Sequence, residues 1–171
     1  MEFTLKGSSL FVAILLTGLS AGLFYAWEVS VIPGTKRIDD HAYVESMQSI
    51  NRAILNPAFY AIFFGSLIFL LLNTYAQLQS GMGLAFYLIL GATLSYLIGT
   101  FGVTAFGNVP LNDGLDILQI EELSKEALHE IRHSYELQWN RLHSIRTYFS
   151  LLALLLSLLA AFTDKEHSLQ L

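Results

Sequence analysis

Hydrophobic and polar positions fall along this chain in long blocks. Apolar stretches at about residues 8–32, 57–78, 84–106 and 137–163 each suit the ~20-residue helix that crosses a bilayer. Two more polar segments, about 33–56 and 107–136, follow the first and third stretches and repeat apolar residues at helical spacing. Gln79-Ser80-Gly81-Met82-Gly83 joins the second stretch to the third as a short uncharged hairpin loop. The pattern predicts an all-α fold, a four-transmembrane-helix bundle with amphipathic helical caps on one side of the membrane. Residues 1–171 read as one integral membrane domain.

Charge sharpens this picture. No charged residue occurs from Ala53 to Asn112, and charged residues make up 13% of the chain against about 25% in a soluble domain. The first apolar run is longer than a signal-peptide core and ends in Phe24-Tyr25-Ala26-Trp27, so it reads as a retained span. The absence of cysteine excludes disulfides, thiolate metal sites and a cysteine nucleophile. A net charge of −5 without a basic run gives a nucleic-acid partner no support. Seven of the nine Lys and Arg residues lie on the cap side, with Lys6 and Lys165 on the other. Positive-inside counting puts the caps in the cytoplasm and both termini outside. Arg52, Arg141 and Arg146 belong to the seven and are also functional candidates, which weakens that count.

Local signals set the expected breaks. Pro33-Gly34 should stop the first span, Asp39-Asp40 should cap the next helix, and Pro57 should kink or restart it. Gly107 to Asp113, with one proline and two asparagines, reads as a structured break. The helix expected from Glu121 to Thr163 is too long for one crossing, so its part up to about Tyr135 should stand outside the hydrocarbon. Gly18, Gly22 and Ala26, and again Gly91, Ser95 and Gly99, form small-residue ridges suited to close helix contact, within the bundle or in a homo-oligomer. Both halves share one layout, and the clusters Gln48-Asn51-Arg52 and Gln138-Asn140-Arg141 should meet at one end of the bundle.

The polar residues near membrane depth carry the candidate chemistry. Trp139 to Arg146 runs directly into the uncharged stretch Thr147 to Thr163. Around a helix, Glu136, Asn140, His143 and Thr147 fall within about 60°, with Tyr135, Leu142, Ile145 and Phe149 on the other side. A carboxylate, an amide and an imidazole cannot face acyl chains cheaply, so that stripe should meet protein or a wet cavity. Pooled with it at the cap end are Glu28, Asn51, Arg52, Asn56, Asn108 and Asn112. Glu28 reads either as an interfacial carboxylate or as a buried functional one, and Arg52 either as a headgroup contact or as part of the site. Asn108 and Asn112 either staple a turn or line a pocket. Within the pool His143 is the natural proton acceptor, and Arg146 could stabilise an oxyanion or pair with Glu28. Asparagines could hold phenol or ketone oxygens, and Trp139 could stack on a flat ring. The same residues could equally form a polar network that ties helices together.

His129-Glu130-Ile131-Arg132-His133 matches the H-E-x-x-H zinc pattern, with Glu136 one turn on. It lies on a charged segment outside the predicted span, and the position six beyond His133 is Trp139, so a chance match competes with a metal site.

Met47-Gln48-Ser49-Ile50-Asn51, Asn108-Val109-Pro110-Leu111-Asn112, and Trp139 with His143 and Arg146 together resemble the anthrone oxygenase family, over nearly the whole chain. The resemblance implies a small four-span membrane protein, many relatives being bacterial, hence a bacterial cytoplasmic membrane. It implies oxidation of anthrones to anthraquinones by molecular oxygen, without an obvious metal or flavin cofactor. Base-assisted reaction of a flat lipophilic phenolic, anthrone-type or quinone-precursor substrate would use His143 as base, with Arg146 and an asparagine as oxyanion donors. Trp139, Asn140, Asn108, Asn112, Asn51, Asn56 and Glu28 would bind the ligand. Two other classes stay open: a non-catalytic membrane protein binding a small hydrophobic ligand or partner through the same residues, and a metal-dependent enzyme using His129 and His133. A catalytic pocket should offer about 300 Å³ beside His143.

Overall fold

A computed structural model describes residues 4–168. Among them there is no strand, and four helices are long and apolar enough to cross a membrane. Helix α1 is Leu5–Thr35, α2 Asp40–Ala53, α3 Pro57–Ser80, α4 Leu84–Asp116 and α5 Lys125–Ser168. The four long helices form a ring in which α1 packs on α3 and α5, and α4 packs on the other sides of α3 and α5. Each neighbour is antiparallel, as the short α3–α4 hairpin and the two cap connections require. Helix α2 lies across the cap end, against α5 and the end of α4.

Different forces hold the two levels together. In the cap, Tyr43, Val44 and Met47 of α2 are buried against Leu115, Leu128 and Trp139, and removing such side chains from water stabilises by roughly 1.5–3 kcal/mol each. Burial also pushes the Tyr43 phenol well above its ordinary value, so it serves as a neutral ring beneath the Arg132 guanidinium, 4.6 Å from its centroid. Between the spans, lipid removes that driving force, and close packing plus interhelical hydrogen bonds take over. Tyr96 Oη on α4 accepts from Ser20 at 2.9 Å and donates to Phe63 O at 3.1 Å, joining α4 to α1 and α3. Ser95 Oγ donates to Phe149 O at 2.9 Å, joining α4 to α5.

Several expected breaks are resolved differently. Helix α1 does not stop at Pro33-Gly34. It widens into a π-helical turn over Trp27–Val31, where Ile32 N–H reaches back to Trp27 O, and continues to Thr35. Helix α4 likewise runs unbroken through Gly107 to Asp113, with π-helical segments at Ser95–Gly102 and Thr104–Asn108. In both helices the proline comes two residues after a π-helical segment, so a wider turn precedes the missing amide instead of a chain break. Asp39 does cap α2, its side chain accepting from Ala42 N–H at 3.0 Å. Pro57 does restart a helix. Helix α5 begins at Lys125, later than expected, because Ser124 Oγ accepts from Ala127 N–H at 3.2 Å and sets the start.

One ridge of small residues is used along its length and the other only at Gly18, which faces Leu154 of α5. Gly91, Ser95 and Gly99 lie along α5 (Phe149 and Leu156), but Gly22 and Ala26 are exposed and an added Cβ on Gly22 would touch nothing. The two glutamine–asparagine–arginine clusters share the cap end of the bundle, but among the described residues no hydrogen bond joins them. Gln48 Nε2 donates to Leu115 O and Leu118 O, whereas Gln138 donates to Ser134 of its own helix.

Asn56 is the N-cap of α3. Its Oδ1 accepts from Phe59 N–H at 3.0 Å and its Nδ2 donates to Ala53 O at 2.8 Å. Asn56→Ala should therefore cost about 1 kcal/mol of stability, read as a lower thermal midpoint, while ligand affinity stays unchanged.

Candidate functional site

Four side chains one turn apart on α5 (Tyr135, Trp139, His143 and Arg146) turn towards the bundle and build the site's spine. The Tyr135 and Trp139 rings stack at 6.4 Å, and Trp139 and His143 lie 5.0 Å apart and 7° from parallel. The Arg146 guanidinium sits over the Trp139 ring at 5.1 Å and over Phe24 of α1 at 4.7 Å. Asn112 Oδ1, from the end of α4, accepts from Trp139 Nε1 at 2.8 Å and from Tyr135 Oη at 2.9 Å. Asn51 of α2 donates to the same Tyr135 hydroxyl at 3.1 Å. Two asparagines from different helices thus fix the ring stack.

The hydrogen bonds of His143 define its tautomer. Nε2 lies 3.0 Å from the carbonyl oxygen of Phe24 and must carry the proton, since a carbonyl only accepts. Nδ1 is then an acceptor, and it receives Arg146 Nε–H at 3.1 Å and Nη2–H at 2.9 Å. Arg146 Nη1 reaches Thr104 Oγ1 at 3.4 Å. Three of the five guanidinium N–H groups are therefore engaged. No carboxylate stands within ion-pair distance of Arg146 among the described residues, although the side chain is buried. The expected pairing of Arg146 with Glu28 does not form. Glu28 Oε1 instead accepts from Ser144 Oγ at 2.8 Å, and its Oε2 lies 3.7 Å from His143 Nε2.

Beside this spine lies a cavity of about 80 Å³. His143, Arg146, Trp139 and Asn112 form its polar wall. Phe24, Trp27, Ile50, Ile54 and Phe59 supply apolar surface. Its rim includes Leu23, Leu55 and Val109, which are 36%, 60% and 39% exposed, so it opens sideways through apolar residues. The volume is below the 300 Å³ expected for a catalytic pocket, so a tricyclic molecule would have to extend into that rim.

The sequence-derived residues divide into three groups. Asn51, Asn112, Trp139, His143 and Arg146 line the cavity. Asn108 is fully buried behind it, donating to Trp139 O at 3.2 Å and leaving its Oδ1 without a partner. Glu28 and Asn140 line a separate outer cleft on the far side of His143, Asn56 is consumed as a helix cap, and Arg52 pairs with Asp116. Tyr135, expected opposite the polar stripe, belongs to the core of the site. Trp27, Phe59 and Thr104 were missed. Thr104 opens one π-helical segment and Trp27 another, and no sequence signal marks that change of helical phase.

Within the H-E-x-x-H stretch, His129 and Arg132 serve the cap, and His133 lines the outer cleft. His129 Nδ1 is 3.1 Å from Asp40, and Arg132 bonds Glu136, Asp40, Ile38 O and Thr35 O, fastening the α1–α2 connection to α5. Among the described residues, no three His, Asp or Glu side chains are grouped to hold a metal ion.

A family model described as anthrone oxygenase matches residues 52–156. That range contains Thr104, Asn108, Asn112 and the Trp139–Arg146 stretch, and leaves Glu28 and Asn51 outside. No curated protein and no solved structure matches the chain.

Proposed function

Because the chain belongs to the anthrone oxygenase family, we propose that it is a membrane-embedded oxygenase acting on a flat lipophilic phenolic or anthrone-type substrate in the cavity beside His143. The observation that carries this reading is Arg146, a buried guanidinium with no carboxylate partner among the described residues and with N–H groups left over beside an apolar cavity. A buried cation without a counter-charge is costly, and a substrate oxyanion is the partner that would offset it.

In the proposed reaction the guanidinium turns from His143 Nδ1 to the ketone oxygen of the substrate. Nδ1 is thereby freed to take a proton from the methylene carbon, and the negative charge spreads onto the oxygen held by Arg146. The carbanion forms a bond to molecular oxygen, and the peroxide takes up a proton. Loss of water with the second methylene hydrogen leaves a new carbonyl. One CH2 and one O2 become one C=O and one H2O. Trp27 and Phe59 flank the ring, and Leu23, Leu55 and Val109 admit it from the bilayer. The cap end faces the cytoplasm of a bacterial membrane, and the exposed Gly22 side of α1 is open to other copies of the chain.

The direct test uses the purified full chain in lipid nanodiscs with anthrone as substrate. Anthraquinone should form faster than by autoxidation, with one 18O atom incorporated from 18O2; a rate equal to autoxidation would sink the proposal. A second reading, a ligand-binding protein without turnover, is favoured by the small cavity volume. It predicts saturable quenching of Trp fluorescence by anthraquinone with no product from anthrone.

A further inference from the structure

His143 separates two compartments. It lines the apolar cavity with Arg146, which covers its Nδ1, and its Nε2 is 3.7 Å from Glu28, a residue that lines the outer cleft of about 460 Å³. Glu28 stands between the imidazole and that cleft. Its Oε1 is fixed by Ser144, and its Oε2 is buried without a hydrogen-bond partner 3.7 Å from Nε2. The remaining charged or titratable residues lining the cleft are Lys36, just after α1, and His133, Glu136 and Arg141 from α5, and Glu136 is already held by Arg132. The carboxylate of Glu28 is thus the anionic group placed to answer any charge that appears on the imidazole.

We propose that Glu28 is a proton relay acting through His143, and that it does not bind the substrate itself. The inference rests on the oxygenase reading. If Nδ1 takes the methylene proton while Nε2 keeps its own, an imidazolium forms beside the Arg146 guanidinium, two like charges in contact. In the relay the Nε2 proton leaves the Phe24 carbonyl as the imidazole and Oε2 close from 3.7 Å to hydrogen-bond distance, and its transfer to Oε2 removes that repulsion. The imidazole is neutral again, the glutamic acid is neutral, and the one remaining negative charge is the substrate oxyanion on Arg146. The proton returns by the same path when the peroxide needs it, so no net proton is gained or lost and oxygen is the sole oxidant. The π-helical turn Trp27–Val31 carries Glu28 and lies just after the Phe24 carbonyl, so both groups facing Nε2 come from one stretch of α1.

The test compares the full-length wild type with Glu28→Gln and Glu28→Ala in nanodiscs, with anthrone as substrate and sodium formate as the added carboxylate. Glu28→Gln keeps the side-chain size and an oxygen for Ser144 but cannot accept the proton. Both variants should lose about tenfold or more in kcat with KM unchanged, because Glu28 lines the outer cleft and not the cavity. Formate should restore the alanine variant through the space it opens, and leave the glutamine variant and the wild type unaffected. A glutamine variant as fast as wild type, or an alanine variant that stays slow in formate, overturns the relay alone. A wild type no faster than autoxidation overturns the oxygenase reading, and the relay with it.

Discussion

Arg146→Met should lower kcat for anthrone by about 100- to 1,000-fold, the usual loss when an oxyanion donor is removed from a buried site. The informative second measurement is stability. A structural network would weaken when its central arginine is deleted, and the thermal midpoint would fall. Among the described residues, however, Arg146 has no carboxylate partner in its buried position, so replacing it by an apolar side chain of similar length removes an uncompensated charge. The expected result is an inactive protein with an unchanged or raised midpoint, the trade expected of a site strained for function. A variant that is both active and less stable would instead assign Arg146 to helix assembly. Arg146→Lys should recover little, since a flexible point charge lacks the planar fork of donors that turns from the imidazole to hold a substrate oxygen.

Gly99→Ala should have the largest effect on the fold. A Cβ at this position would overlap both Cβ and Cγ of Phe149. The Phe149 Cβ is fixed by its backbone, so no side-chain rotation relieves the first contact and α4 must move away from α5. Overpacking of this kind costs typically about 1–3 kcal/mol. The same interface carries the Ser95–Phe149 bond and the Thr100 hydroxyl on Arg146 O, at 3.3 Å. The shift would therefore reach the cavity one turn away. Both a lower thermal midpoint in detergent and a loss of turnover should appear. Gly22→Ala, whose new Cβ meets nothing within 4 Å, should leave the isolated chain unchanged and serves as the control. An unaltered midpoint for Gly99→Ala would mean that the two helices are not packed at this distance.

How far the site was legible from sequence varies by residue. His143, Arg146 and Trp139 stood out because polar side chains at membrane depth are costly without protein partners. Their company was harder to identify. The bundle-facing stripe of α5 mixes Tyr135, Trp139, His143 and Arg146, so hydropathy contrast does not mark it. In lipid the outer face of a helix is as apolar as the inner one. The wheel accordingly grouped Tyr135 with Phe149 and Leu142, which pack instead against Gly99 and Gly107 of α4. Asn56 and Asn112 look alike in sequence, yet one is used up in a cap and the other orients two aromatic rings. Asparagine is suited to both tasks, and the surroundings decide between them.

The sequence by itself determined the four spans, the tight α3–α4 hairpin, the caps at one end and the polar residues that had to be buried. These follow from local requirements, since a chain in hydrocarbon must satisfy its own backbone and keep charge out of lipid. Only the tertiary structure decided which of those residues meet. The π-helical segments in α1 and α4 shift the phase of every residue after them, which no fixed 100° wheel anticipates. Packing then brought Phe24 O and Arg146 to the two nitrogens of His143, leaving one lone pair shielded by a guanidinium and one N–H beside a free carboxylate oxygen. That arrangement depends on contacts between residues more than a hundred positions apart in the chain, and it is these contacts that turn a polar stripe into a candidate site.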